Sequence, residues 1–484
     1  MGSVRSNFIW NSAYQVVRIA TPLITTPYLT RVLGSEPLGV YSYTYTIAMY
    51  FTYFVLLGLN QYGNREVAKA RENRASLSKV FWSIYLGQVV IGTFVSAFYL
   101  LYVAVQSDAM RLYALIWFLW IAAEVADIGW LLYGLEEFKV ITIRNVLIRV
   151  VVVAGIILLV KQPEDLWIYC LLQAGSFILN SATLWVIARR RIDWYRPSAR
   201  EIARHIRPSL VLFAPVIAIS CYTQLNKIIL GSLSGMSQVA FYDNADKVVT
   251  IPLTIIQSLG TVLLPRMSNV LAGGDAGEEK AQAYLSESFW LSMLISIGLV
   301  FGILGASEVF VPVFFGDGFE ACVTLMPTLS LIIPACALSS VVGNQFLIPS
   351  ERDSLYLRSV LAGAVVNIAL CLILIPSLSA MGAALATVAA EIVVAGVQMW
   401  YARRELPFAR YFRRIAPYVL MGAIEFACIR AVPLTGLVGW GLLLAEIAVG
   451  ASVFASCSLA YLIAKGDETL RYFGLSRFIR KSER

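Results

Sequence analysis

Histidine occurs once in the 484 residues, at His205, and charged residues make up only 14% of them. A single imidazole, set in a basic surface stretch and read as solvated, excludes His-paired metal sites and His-activated nucleophiles. The seven cysteines (Cys170, Cys221, Cys322, Cys336, Cys371, Cys428, Cys457) lie in or beside apolar runs, with no CxxC and no paired spacing. They support neither a disulfide framework nor a thiolate metal site, and read as inert core residues. A Gly-rich phosphate loop with its lysine is missing, which argues against an ATP-driven pump within this chain. No cleavable leader is recognisable, because the first apolar run carries Asn11, Gln15 and Arg18 and lacks a small-residue cleavage site. It reads as a membrane helix.

Apolar residues dominate what remains, at 59% of the chain with a mean hydropathy of +0.73, outside the usual soluble composition. The sequence predicts an all-α polytopic membrane protein. Runs near the length a bilayer requires, about 20 residues each, fall at 8–32, 38–62, 80–104, 112–134, 140–160 and 166–188. They resume at 208–231, 238–263, 284–310, 323–348, 357–376 and 380–402, with two more at 415–431 and 437–464. About fourteen helices result, as a six-helix N-lobe (1–188), a basic linker (189–207), a six-helix C-lobe (208–402) and a C-terminal portion (403–484) of two further helices and a basic tail.

Alternating the segments with an inside amino terminus places 30 of the 38 Lys and Arg on the cytoplasmic side, as the charge bias of membrane insertion requires. Both termini and the linker are expected there. Net charge +8 is then a topology signal and not a sign of nucleic acid. The linker, with seven arginines, Trp194 and Tyr195, is expected on the lipid surface, where arginine meets anionic headgroups.

Three loose matches relate the halves. Arg31, Leu33-Gly34 and Gly39-Val40-Tyr41 echo Lys227, Leu230-Gly231 and Ala240-Phe241-Tyr242. Leu77-Ser78-x-x-Phe81-Trp82 matches Leu285-Ser286-x-x-Phe289-Trp290, and Glu137 with Arg144-x-Val146-Leu147 matches Glu351 with Arg358-x-Val360-Leu361. Six helices per half give both halves one orientation, the parallel repeat of rocking transporters.

Charge inside apolar spans is costly and marks candidate sites. Counting at about 1.5 Å per residue puts Arg18, Glu124 and Arg149 near the bilayer midplane, with Asp127 nearer the cytoplasm and Lys247 a turn after Asp243. Arg31 and Lys227 lie near outer helix ends, where snorkelling to headgroups competes with a functional role. The second half has Leu338, Val341 and Gly363 opposite Glu124, Asp127 and Arg149, so the acid and base group reads either as a coupling site or as an ion pair of Arg149 with Glu124 bracing two helices. Glu391, Glu425 and Glu446 sit mid-helix without an obvious basic partner.

The Leu-Gly turns, the stretch AFYDNADKVV, the exit Tyr133-Gly134 with Glu137-Phe138 and the six-plus-six-plus-two plan together resemble the Wzx-type polysaccharide flippases of the multidrug/oligosaccharidyl-lipid/polysaccharide exporter superfamily. The resemblance covers nearly the whole chain, and departs from the family at Asn226, where an acid is frequent. It implies a V-shaped exporter without cofactor, metal or catalytic residues, which flips undecaprenyl-diphosphate-linked oligosaccharides to the outer leaflet of a bacterial plasma (inner) membrane. Coupling to H+ or Na+ and partnership with a polymerase and a chain-length regulator belong to that picture. Diphosphate partners would be Arg18, Arg149, Lys247, Lys227 and Arg31, and coupling candidates Glu124, Asp127, Asp243 and Asp246. Glycan contacts would come from Tyr41, Tyr45, Gln61, Tyr222, Gln224 and Tyr242. A cation-coupled multidrug exporter or a lipid II flippase of the same superfamily is the alternative; a glycan polymerase or ligase has little room in the short outer loops.

Overall fold

The computed structural model describes residues 4–271 and 275–466, with the side chains at 4–9, 11–14, 16, 255, 257–271 and 275–281 excepted. The basic tail beyond 466, Ser476 included, lies outside the described residues. All regular structure among them is helical. The order begins α1 (Val4–Leu33), α2 (Ser35–Leu56), α3 (Leu59–Ala70), α4 (Arg74–Ala104), α5 (Asp108–Val125), α6 (Gly129–Gly134), α7 (Phe138–Leu159) and α8 (Leu166–Ala188). It continues with α9 (Ala199–Thr223), α10 (Leu225–Ser234), α11 (Met236–Leu271), α12 (Asp275–Phe314), α13 (Cys322–Ser330), α14 (Ile332–Ser339), α15 (Asp353–Ala402), α16 (Phe408–Ala431) and α17 (Gly439–Lys465).

Ten helical segments among the described residues are long and apolar enough to cross a membrane. Their exposed faces carry Phe94, Phe98, Leu101, Leu158, Leu372 and Leu444, which lipid tolerates while the helical backbone satisfies its own polar groups. The more polar runs at 8–32, 38–62 and 238–263 are helical but not among the ten, and the runs at 357–376 and 380–402 are merged in α15, broken at Ser379 (φ 49°, ψ −128°).

The chain divides into two compact units, 1–243 with 371–380, and 244–370 with 381–484. The division falls inside α11 and not at the linker. Contacts within the first unit explain why: Cys371 Sγ approaches Asn226 Oδ1 at 3.5 Å, Ser234 Oγ donates to Ile375 O at 3.3 Å, and Ala380 N donates to Gln238 Oε1 at 3.3 Å. The core of this unit gathers Phe81, Trp130, Leu131, Ile141 and Leu184 from α4, α6, α7 and α8.

The repeat matches carry the same structural load in each unit. Leu77 and Phe81 are buried in the first, Leu285 and Phe289 in the second. Helices also end alike: Glu136 and Glu351 both adopt φ 59°, with Glu137 N bonded to Leu132 O at 3.1 Å and Arg352 N to Leu347 O at 2.9 Å. A left-handed residue followed by this six-to-one bond is the Schellman ending. Structure therefore pairs Glu136, not Glu137, with Glu351, one residue away from the sequence match.

The second half of the linker is helical. Ser198 Oγ accepts from Glu201 N at 3.3 Å while Glu201 Oε2 accepts from Ser198 N at 2.7 Å, a reciprocal cap that the Ser-x-x-Glu spacing encodes. His205, read as solvated, is half-buried instead, with Nδ1 2.7 Å from Tyr62 OH. A helix that returns over α3 presents that face inward, so the neighbouring basic residues did not report on its exposure.

Candidate functional site

The α10–α11 hairpin packs on α2 at backbone contact. A Cβ on Gly39 would stand 1.8 Å from Met236 O, and one on Gly231 would stand 2.4 Å from the Tyr43 ring. Only glycine permits that approach, and Gly235 (φ 94°) makes the turn.

This docking assembles a buried polar cluster. Lys227 Nζ lies 2.6 Å from Asp243 Oδ1 and donates to Gln224 Oε1 at 3.0 Å. Ser42 Oγ donates to Asp243 Oδ2 at 2.7 Å. Asn226 Nδ2 donates to Tyr242 OH at 3.0 Å and to Tyr222 O at 3.4 Å. Exposure is 8% at Lys227, 3% at Asp243 and 0% at Asn226, so snorkelling is not what Lys227 does. Every carboxylate oxygen of Asp243 has a donor, the condition under which a buried pair is tolerated.

From Tyr41, the neighbour of Ser42, a ladder of rings leads into α5 and α8. Tyr41 stacks on Tyr45 (5.7 Å, 14°), Tyr45 on Trp120 (4.9 Å, 16°) and Trp120 on Phe177 (4.3 Å, 13°), with Tyr169 4.4 Å from Tyr41. Trp120 Nε1 donates to Glu124 Oε2 at 3.0 Å, so the ladder ends at a carboxylate.

Glu124 and Asp127 flank a break between α5 and α6. Gln88 Nε2 lies within bonding distance of the carbonyls of Glu124 (2.9 Å), Val125 (3.3 Å) and Asp127 (2.7 Å), and Gln88 Oε1 accepts from Trp130 Nε1 at 3.1 Å. Trp185 Nε1 donates to Ala126 O at 2.8 Å, Ser181 Oγ to Ala123 O at 2.8 Å, and Asp127 Oδ1 accepts from Gly129 N at 2.8 Å. Irregular backbone inside a membrane protein needs such replacement partners.

Lys227, Asp243, Gln224, Tyr222 and Tyr242 are thus brought together, with Tyr41 and Tyr45 adjoining through Ser42. Others stand apart. Arg18 is exposed on α1 and Gln61 on α3. Arg31 Nη1 donates to Pro27 O at 2.7 Å on its own helix. Arg149 is half-buried on α7 and, among the described residues, no ion pair joins it to Glu124, whose Oε2 accepts from Trp120 Nε1 instead; the brace considered from the sequence is not formed there. Asp246 and Lys247 are half-buried in the second unit. Sequence reasoning missed Ser42, Gln88, Trp120, Tyr169 and Phe177. Gln88 had a signal, an amide in the middle of an apolar run; the aromatic residues had none, since rings are ordinary core.

Ten membrane-length helical segments among the described residues, with a buried ion pair and a ring ladder held between helices, define a multi-pass membrane protein. The fold agrees with solved structures: a lipid II flippase MurJ in an inward closed conformation (TM-score 0.70, 15% identity, 94% of this chain and 98% of that one) and an inward-facing multidrug resistance MATE family transporter (TM-score 0.62, 12% identity, 83% and 98%). The family model described as "Polysaccharide biosynthesis protein" matches residues 4–271, and the chain belongs to that family. It is 24% identical over 409 residues, 83% of this chain and 97% of the relative, to a "Putative O-antigen transporter" of Escherichia coli (strain K12). The curated relatives that it matches carry the names of O-antigen transporters and a lipid II flippase.

Proposed function

We propose that the protein flips undecaprenyl-diphosphate-linked oligosaccharide repeat units from the cytoplasmic to the outer leaflet of a bacterial inner membrane by alternating access, for O-antigen, capsule or exopolysaccharide synthesis. The likeness to an O-antigen transporter over 97% of that relative's length supports the substrate class. The observation that carries the mechanism is the buried Lys227–Asp243 pair. Holding an ammonium and a carboxylate out of water is costly, and an ammonium already inside a membrane protein can exchange its carboxylate for the diphosphate, leaving Asp243 to Ser42 and a coupling cation. Arg18, Arg149, Lys247 and Arg31 are further cationic partners in this reading. The ring faces of Tyr41 and Tyr45, with Gln61, Tyr222, Gln224 and Tyr242, take the glycan.

Fourteen crossings in a V-shaped, two-lobed plan belong to the same reading, with lobes 1–188 and 208–402, the linker 189–207 and the portion 403–484. The ten spans, the helical runs at 8–32, 38–62 and 238–263 and the break at Ser379 support that count. Glu124, Asp127 and Asp246 are the other proposed sites of H+ or Na+ coupling, and a polymerase and chain-length regulator the proposed partners.

The test is leaflet exchange of a fluorescent undecaprenyl-diphosphate oligosaccharide in proteoliposomes, with lipid II and an organic cation in parallel. Wild type moves the oligosaccharide, Lys227→Arg retains movement and Lys227→Gln loses it while still eluting as a folded protein. Movement of lipid II or the organic cation alone overturns the substrate assignment.

A further inference from the structure

The second unit has a half-open cavity of about 710 Å³ among α12, α16 and α17, in the range of drug-sized ligand sites. Its walls are apolar, with Leu294, Phe310 and Phe454 among them, but two glutamates are part of the lining, Glu425 from α16 and Glu446 from α17. They are 4% and 1% exposed. In each, Oε2 is buried without a hydrogen-bond partner among the described residues. Gly302 and Gly450 hold space for the Glu425 carboxyl: a Cβ there would stand 3.2 and 3.3 Å from Oε1. Among the described residues no Lys or Arg is in the lining. Arg430, in the last turn of α16, is joined to Glu308.

Two desolvated, unsatisfied carboxyls in an apolar chamber are costly, and ionisable groups inside a membrane protein are retained for a use. None of the polar partners described for Lys227, Asp243 or Glu124 reaches this chamber. We infer that it is a binding site for a single-chain amphiphile with an ammonium head, which meets Glu425 and Glu446 while its hydrocarbon body fills the space between α12 and α17. Charge complementarity selects the head: an anionic lipid would place like charges together, and a neutral alcohol leaves one oxygen unsatisfied. The rings of Phe310 and Phe454 suit an ammonium further.

The experiment uses the full chain in nanodiscs and two photoreactive probes of equal chain length, a diazirine-tailed primary dodecylammonium and the matching dodecanol, with label mapped by mass spectrometry. The ammonium probe is expected to label α12, α16 and α17 roughly tenfold more than the alcohol, the size of one charge-assisted contact. Glu425→Gln with Glu446→Gln is expected to abolish that preference without changing labelling by the alcohol. Equal labelling of wild type by the two probes overturns the inference, as does ammonium label outside these helices or an unchanged preference in the double variant. The wild-type comparison decides even where the variant does not fold, and none of these readouts depends on flipping.

Discussion

Lys227 shows how tightly one charge can be tied to another inside this chain. The residue is 8% exposed and its ammonium lies 2.6 Å from Asp243, so removing either partner alone strands a charge. Lys227→Met is expected to destabilise the protein by about 3–5 kcal/mol, and Lys227→Met with Asp243→Leu to recover much of that, read as denaturant unfolding in detergent. A cost within about 0.5 kcal/mol, as at ordinary surface sites, would contradict the buried pair. Gln88 bears on the carbonyls of the α5–α6 break, and Gln88→Leu leaves Glu124 O and Asp127 O without that donor. Each buried acceptor so abandoned costs about 1–3 kcal/mol. The same variant should speed hydrogen exchange at 126–128, whereas a loss spread evenly over α4 would point to packing alone.

At the scale of elements, two helices end alike, in Schellman turns at Glu136 and Glu351. A non-glycine residue held at φ 59° carries left-handed strain. Glu351→Gly is therefore expected to raise stability by about 0.5–1 kcal/mol, measured as a shift in unfolding midpoint at constant slope. Glu136→Gly should gain less, because Glu136 also pairs with Arg71 at 2.7 Å. A loss at Glu351 would mean that its side chain matters more than its backbone. The α2 and α10–α11 contact makes the opposite prediction: Gly39→Ala sets a Cβ 1.8 Å from Met236 O, and should undo the docking that brings Ser42 to Asp243.

For the whole molecule, the proposed orientation sets Ser198 in the linker and Ser232 beside the hairpin turn on opposite sides of the membrane. Both are exposed. In a background lacking Cys221, Cys336, Cys428 and Cys457, the half-buried thiols, Ser232→Cys should react with an impermeant maleimide on intact cells and Ser198→Cys only after permeabilisation. External reaction at Ser198→Cys would invert the orientation and with it the direction of proposed transport.

Sequence alone determined the class and the family resemblance, because hydropathy and Lys/Arg placement are sums over many residues and survive local error. The Leu-Ser-x-x-Phe-Trp matches were legible as well, whereas the cap formed by Ser198 and Glu201, though local, went unread and emerged with the structure. What the tertiary structure decided is partnership. Lys227 read equally as a headgroup anchor and a site; only docking of α10–α11 on α2 through Gly39 buried it against Asp243 and Ser42. The alternative pairing of Arg149 with Glu124 shared depth but not direction, and Glu124 found Trp120 instead. Depth follows from counting residues along a helix, whereas the azimuth of a side chain follows from packing against distant segments, and no spacing in the chain records that.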